Sequence, residues 1–122
     1  MNNPIDVVST LTPEWQLVDG QLLWCKLDVF FVNEYQDFPA AAGVYVISCD
    51  CCGPVPLYVG KTWNLRERFR TGHQVTPHLI PHKEVTISLH YIDDSKTRDF
   101  IEKQWIVNGK PLYNRETVEL SS

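Results

Sequence analysis

"PLYVGKTWNLRERF", residues 56–69, holds the transition on which the fold turns. An apolar run closes on Tyr58-Val59-Gly60, the chain passes Lys61 and Thr62, and a segment dense in arginine follows. Residues 56–60 read as a strand, because β-branched and aromatic side chains suit a pleated, half-buried surface. Asn64 reads as a helix N-cap, with Glu67 three residues on completing a capping box. At about 100° per residue, Leu65 and Phe69 fall within about 40° of each other and face the core. Arg68 lies about 60° from Leu65, at the edge of that stripe, while Arg66 and Arg70 lean away on its other side. Gly72 ends this short helix. A turn at Gly60, with free N–H groups at the start of the helix, is suited to an anion. A glycine that merely turns the chain is the plainer reading. The glycine spacing matches neither a Walker loop nor a dinucleotide loop.

Upstream, "GVYVI" (43–47) is a second strand, and "SCDCCGPV" (48–55) is a loop with Gly53 and Pro54, so 43–60 forms a hairpin. Pro39 and Ala40-Ala41-Ala42 connect into it. Before that, Asp19-Gly20 marks a two-residue hairpin turn within "WQLVDGQLLW" (15–24), and 26–32 continues as strand. A helix over 21–32 is the alternative, because the apolar residues there keep neither period cleanly. Downstream, "EVTISLHYI" (84–92) alternates, with Val85, Ile87, Leu89 and Tyr91 on one face and Thr86, Ser88 and His90 on the other. That is a half-buried strand. A helix follows from about Thr97 to Asn108, capped by Asp94, Ser95 or Thr97 and stopped by Gly109 and Pro111. Residues 115–122 read as a fraying tail.

The chain has 122 residues, enough to bury a core without staples, and its apolar and charged fractions (43% and 21%) are those of a globular protein. No apolar run reaches the roughly 18–20 residues of a membrane span, so no membrane partner is expected. The start lacks the basic patch and apolar core of a secretory signal. Three of four cysteines crowd into "CDCC" (Cys49, Cys51, Cys52), which is no disulfide framework. Reduced thiols in a cytoplasmic protein are expected. Zinc held by these cysteines with His73 or His78 is an alternative, but the paired C-x2-C arrangement is missing.

Net charge is −4, unevenly spread: residues 1–57 carry one lysine against seven acids, and residues 58–122 carry ten basic residues against eight acids. Within 58–83, Lys61, Arg66, Arg68, Arg70 and Lys83 face Glu67 alone. A local basic patch on an acidic molecule suits a small anionic contact better than a wide nucleic-acid groove. Two charged residues are ambiguous. Arg68 is either a solvated helix arginine or a guanidinium held for bidentate phosphate binding. Glu102 either pairs with Arg98 or, lying between Trp105 and Ile106 on the wheel, holds a cation.

In combination these features resemble the GIY-YIG nuclease family. "GVY" (43–45), "YVG" (58–60), Arg68 eight residues past Gly60, Glu102 in a helix and Asn114 closing "KPLYN" stand in that family's order. The resemblance covers about residues 43–114 as the catalytic domain, leaving 1–42 as an N-terminal extension packed on it and 115–122 as a tail. It implies an α/β (α+β) fold: a small three-stranded antiparallel sheet flanked by helices. It also implies a divalent-metal-dependent endonuclease, acting on DNA more than on RNA; the acidic first half adds the expectation of a dimer, a helper for targeting or a restricted substrate.

Roles follow from the same resemblance. Glu102 is the sole protein ligand of one Mg2+ or Mn2+. Arg68 stabilises charge on the phosphoryl group. Tyr45 or Tyr58 orients or deprotonates the attacking water, and the second task needs a pKa below the usual value of about 10. Asn114 fixes the site by hydrogen bonds. Gly60, Lys61, Arg66, Arg70 and His73 are candidate substrate contacts. Many members carry histidine four residues after the arginine; that position here is Gly72, and a one-residue bulge would bring His73 into its place. The other reading is a GIY-YIG-like module that binds nucleic acid or protein without cutting. The acidic first half favours it, whereas Glu102 and Arg68 together favour cleavage.

Overall fold

Antiparallel pairing organises the chain. The computed structural model describes residues 15–18, 21–49, 55–70 and 72–114. Strands β1 (Trp15–Val18) and β2 (Gln21–Trp24) pair with Val18 opposite Gln21. That register leaves two positions for the connection, as a tight hairpin requires. The Asp19-Gly20 turn itself lies outside the described residues, as do the "CDCC" loop beyond Cys49 and the tail 115–122.

The central sheet has four strands in the order β3-β6-β4-β5, all antiparallel. They are β3 (Leu27–Phe31), β4 (Gly43–Ser48), β5 (Tyr58–Thr62) and β6 (Thr86–Tyr91). The three strands expected are all present, and β3, from upstream of the motif, makes the fourth. Its periodicity is blurred because it is an edge strand: Val29 and Phe31 are exposed, while Phe30 packs on the core. The same pairing excludes a helix over 21–32.

Among the described residues three helices complete the fold: α1 (Leu65–Arg70), α2 (Thr76–Leu79) and α3 (Ser95–Gly109). A 3-10 stretch, Val32–Asp37, leads from β3 toward β4. Helix α2 replaces part of an expected loop, with Pro77 in its first turn, where the missing N–H costs nothing. Asp94 caps α3, accepting from the Thr97 N–H at 2.8 Å. Gly109 remains helical, and Lys110 takes the left-handed position (φ 48°, ψ 58°), donating to the Ile106 carbonyl. The helix therefore stops one residue later than the glycine suggested.

Both faces of the sheet are covered. Alternation along β4 sends Tyr45 and Ile47 to one face and Val44 and Val46 to the other. The first face buries Phe38, Leu57, Leu65, Ile87 and Leu89; on the second, Ile101, Trp105 and Ile106 of α3 meet Val44 and Val59. His90, expected on the polar face of β6, is consequently buried against the Trp105 ring, with centroids 4.7 Å apart. Cys49 is disulfide-bonded, which corrects the expectation of reduced loop cysteines, and Cys25 is buried. Bridging depends on Cα separation and Cβ direction, which spacing alone does not give. Among the described residues no helix is long and apolar enough to cross a membrane.

Candidate active site

Strand β5 lies at the edge of the sheet, and its register gathers the site. Tyr45 sits opposite Gly60 and Ile47 opposite Tyr58. The two tyrosine rings therefore share a face and stack, with centroids 6.1 Å apart. A Cβ built on Gly60 would stand 2.5 Å from both Cζ and Oη of Tyr45. Gly60 is thus not a turn, since the strand runs on to Thr62; its absent side chain is the space the phenol occupies. Gly43 serves the pairing on the other side of β4, where a Cβ would come 2.1 Å from the His90 carbonyl oxygen.

The N–H groups at the start of α1 are engaged within the protein. Leu65 donates to the Ala41 carbonyl (3.0 Å), Arg66 to the Pro39 carbonyl (3.1 Å), and Glu67 to Asn64 Oδ1 (3.0 Å). The anion-cradle alternative at Gly60 therefore fails: the first two donors tie the helix to the segment before β4, and the third goes to its cap. The capping box is half formed, because the Glu67 carboxylate pairs with Arg70 while the Asn64 N–H donates to Thr62 Oγ1.

Gly72, with φ of +90°, turns the chain out of α1 and delivers His73 beneath the tyrosines. Only glycine adopts that backbone freely, and the bulge expected from the sequence is this residue. His73 stacks on Phe69, lies edge-on to Tyr58, and comes 2.6 Å from the Tyr45 hydroxyl through Nε2. Its Nδ1 accepts the Val75 N–H at 3.0 Å, so the neutral ring carries its proton on Nε2 and donates it to Tyr45. Burial, aided by the Arg68 charge, lowers the His73 pKa to about 3, which keeps the ring neutral. Both ring nitrogens of His73 are thus engaged within the protein, which corrects its expected place among the substrate contacts.

Tyr45 itself is held well above the ordinary tyrosine range. Burial dominates, Tyr58 adds to it, and the charge and hydrogen bonding of Arg68 pull the other way. Arg68 is thus beside the phenol, at the edge of the apolar stripe where the wheel put it.

The outer edge of β5 supplies the second half. Val59 is bonded there by the Asn114 amide, which accepts its N–H (2.7 Å) and donates to its carbonyl (2.6 Å). Residues 112 and 113 also bond the backbone of Pro56 and Leu57, so the segment after α3 closes the edge. Two residues along, the backbone N–H of Lys61 serves Glu102. Glu102 is half-buried; desolvation raises its pKa, the Lys61 charge opposes this, and Asp99 adds to it. The Lys61 ammonium is bonded to Asp99, which also takes Lys103 at 2.9 Å. Arg98 is turned to the Ile92 and Asp93 carbonyls, not to Glu102.

The remaining candidates are tied locally. Arg66 Nε donates to the Phe38 carbonyl at 2.7 Å, and Arg70 pairs with Glu67. Asp99 escaped notice in the sequence, although its place three residues before Glu102 puts both carboxylates on one helix face. Among the described residues no three His, Cys, Asp or Glu side chains gather around a common point. Cys51 and Cys52 of the zinc alternative lie outside them.

Neither a protein-family model nor a curated protein matches the chain. Solved structures do. The GIY-YIG N-terminal endonuclease domain of UvrC from Thermotoga maritima, bound to magnesium as its catalytic divalent cation, is similar at a TM-score of 0.54 and 20% identity, over 67% of this chain and 92% of that one. A tyrosine-to-phenylalanine variant of that domain, also holding the cation, gives a TM-score of 0.55 at 19% identity, over 67% and 91%. At this identity the likeness is one of fold. The chain carries a GIY-YIG-like domain, with a four-stranded antiparallel sheet flanked by helices.

Proposed function

We propose that the chain is a divalent-metal-dependent nuclease hydrolysing phosphodiester bonds, with DNA as its substrate. The carrying observation is the convergence on neighbouring residues of β5: the Tyr45 phenol lies over Gly60, with Arg68 beside it, and the Glu102 carboxylate receives the N–H of Lys61. A hard cation suits this donor set, because a partly desolvated carboxylate oxygen with water and phosphate oxygens completes the shell that Mg2+ or Mn2+ prefers. Glu102 would hold it. Such an ion, when bound, supplies Lewis-acid stabilisation of the leaving oxygen.

The protein's own groups do the rest. Arg68 offers a fixed guanidinium to the charge that builds on the phosphoryl oxygens. Tyr45 receives the His73 Nε2–H, which leaves its own proton to orient the attacking water or a phosphate oxygen. As a buried phenol it keeps that proton at neutral pH, and only as a phenolate, favoured by Arg68 and a bound cation, would it accept one from the water. Tyr58 packs beside it as the second candidate for the water. Asn114 holds β5 and does not touch the reacting atoms.

Comparing wild type with Glu102→Ala and Arg68→Ala on supercoiled plasmid, branched DNA and single-stranded RNA, in Mg2+ and in Mn2+, tests this. Wild type cuts DNA, and each variant loses on the order of 10²-fold or more. Equal activity in all three proteins would rule out the site. One observation favours the second reading, a binding module that does not cut. Lys61, Arg66 and Arg70 are each bonded within the protein, so the patch offers few phosphate contacts. A wild type that binds DNA and cuts nothing is its signature. A dimer or a helper protein is the natural remedy for such weak phosphate grip.

A further inference from the structure

Trp63 is 72% exposed, immediately after β5. It belongs to neither core cluster, and among the described residues its ring makes no aromatic pair. Local structure does not call for an indole there. Thr62 is buried and accepts the Asn64 N–H, Asn64 caps α1, and Leu65 fills the core. Each neighbour has a structural task, and Trp63 has none.

The backbone that carries it is nonetheless held on both sides. Thr62 is paired with Gly43 in the sheet, and the N–H groups of Leu65 and Arg66 are bonded to the Ala41 and Pro39 carbonyls. A large planar ring is therefore presented to solvent from a fixed turn, two residues past Lys61 and three past Gly60. Those residues adjoin the Glu102 carboxylate and the Tyr45 phenol.

Taking the nuclease reading as its basis, we infer that Trp63 is a stacking platform for an unpaired nucleobase next to the scissile phosphate. Bases in a continuous duplex are stacked on each other and present only their edges in the grooves. An indole at the phosphate backbone meets a base face only where a nucleotide is unpaired, as at a flap, fork, gap or single strand. Stacking of that kind tolerates any base, because each has a π face. It also supplies affinity without further cations, which suits a patch whose lysine and arginines are internally bonded. The substrate class is thus DNA with an unpaired nucleotide at the cleavage position.

Binding measured in the uncleaving Glu102→Ala background separates this from the chemistry. Fluorescence anisotropy is read on a labelled forked DNA, on a fully paired duplex of the same sequence, and on the fork with an abasic site at the unpaired position. Trp63→Ala weakens fork binding roughly ten-fold and leaves the duplex within two-fold. Trp63→Tyr restores most of the loss. On the abasic fork, Trp63→Ala has no further effect, because the partner of the ring is gone. Equal losses on fork and duplex, no loss on either, or an undiminished loss on the abasic fork each overturn the platform. If wild type cuts DNA while any of these is seen, only the platform fails. If wild type neither binds nor cuts any of these DNAs, the nuclease reading fails with it.

Discussion

The two halves of the candidate site, on either side of one strand, are built on opposite principles. Around Tyr45 aromatic packing dominates: two tyrosines, Phe69 and a neutral histidine pack by stacking and edge contacts, His73 is bonded to the phenol, and the Arg68 charge lies beside it. Around Glu102 the groups are wet and charged: Lys61, Asp99 and Lys103 form an exposed chain of ion pairs beside a half-buried carboxylate. The aromatic half has fixed geometry, because close-packed rings cannot move without opening voids. The wet half has adjustable charge, because exposed ion pairs exchange partners at little cost. The proposed hydrolysis would use both, fixed hydroxyls to orient a water and a place where charge can be gathered.

Substitutions test that division, beginning with the one expected to cost most. Gly60→Ala drives a methyl group into the Tyr45 ring, with Tyr58 also at 2.9 Å. In the aromatic half this costs about 3 kcal/mol, the upper part of the overpacking range, read as a lowered urea midpoint at unchanged slope. A midpoint like that of wild type would show the rings to be mobile and the contrast to be false.

His73 gives a smaller, pH-dependent effect. Its pKa is lowered from 6.5 to about 3 by folding, so between those values the unfolded chain binds a proton that the folded one refuses. Stability is therefore complete above about pH 6.5 and falls as pH is lowered toward 3. At about pH 5 the loss is on the order of 2 kcal/mol. Urea titrations at several pH values should show this limb in wild type, with His73→Gln lacking it. An identical acid limb in both proteins would mean that the imidazole is not held neutral.

Asp99→Asn is the mildest change. The Asp99 carboxylate is exposed and held below the usual range by its bonds from Lys61 and Lys103. Removing its charge leaves the urea midpoint unchanged and releases Lys61 for phosphate. DNA binding then tightens, and its salt dependence steepens by about one counterion. A large loss of stability would make the wet half structural as well.

Much of this could be read from neighbouring residues. Strand β4, the Asn64 and Asp94 caps, the apolar stripe of α1 and the alternation of β6 are short-range patterns, and each is found near its expected place. The bulge at Gly72 was legible for the same reason, since glycine after a short helix favours the left-handed backbone. Boundaries were less so. The end of β5 moved from Gly60 to Thr62 because hydrogen bonds to Gly43 and the packing of Tyr45, not propensity, extend the strand.

The sequence by itself determined which residues stand in the order of a GIY-YIG domain: two tyrosines, an arginine, a glutamate and an asparagine, on strands and helices of the right type. Only the tertiary structure decided how they meet. The His73–Tyr45, Lys61–Asp99 and Val59–Asn114 bonds span 28, 38 and 55 residues. Such partners are fixed by sheet register and by which face of α3 is pressed onto β5, and neither is encoded in any short window. The same holds for β3, whose pairing with β6 joins segments about sixty residues apart, and for the α1 N–H groups. Read locally, those groups awaited a phosphate; in the fold, Ala41, Pro39 and Asn64 take them, because the chain before β4 returns to that helix.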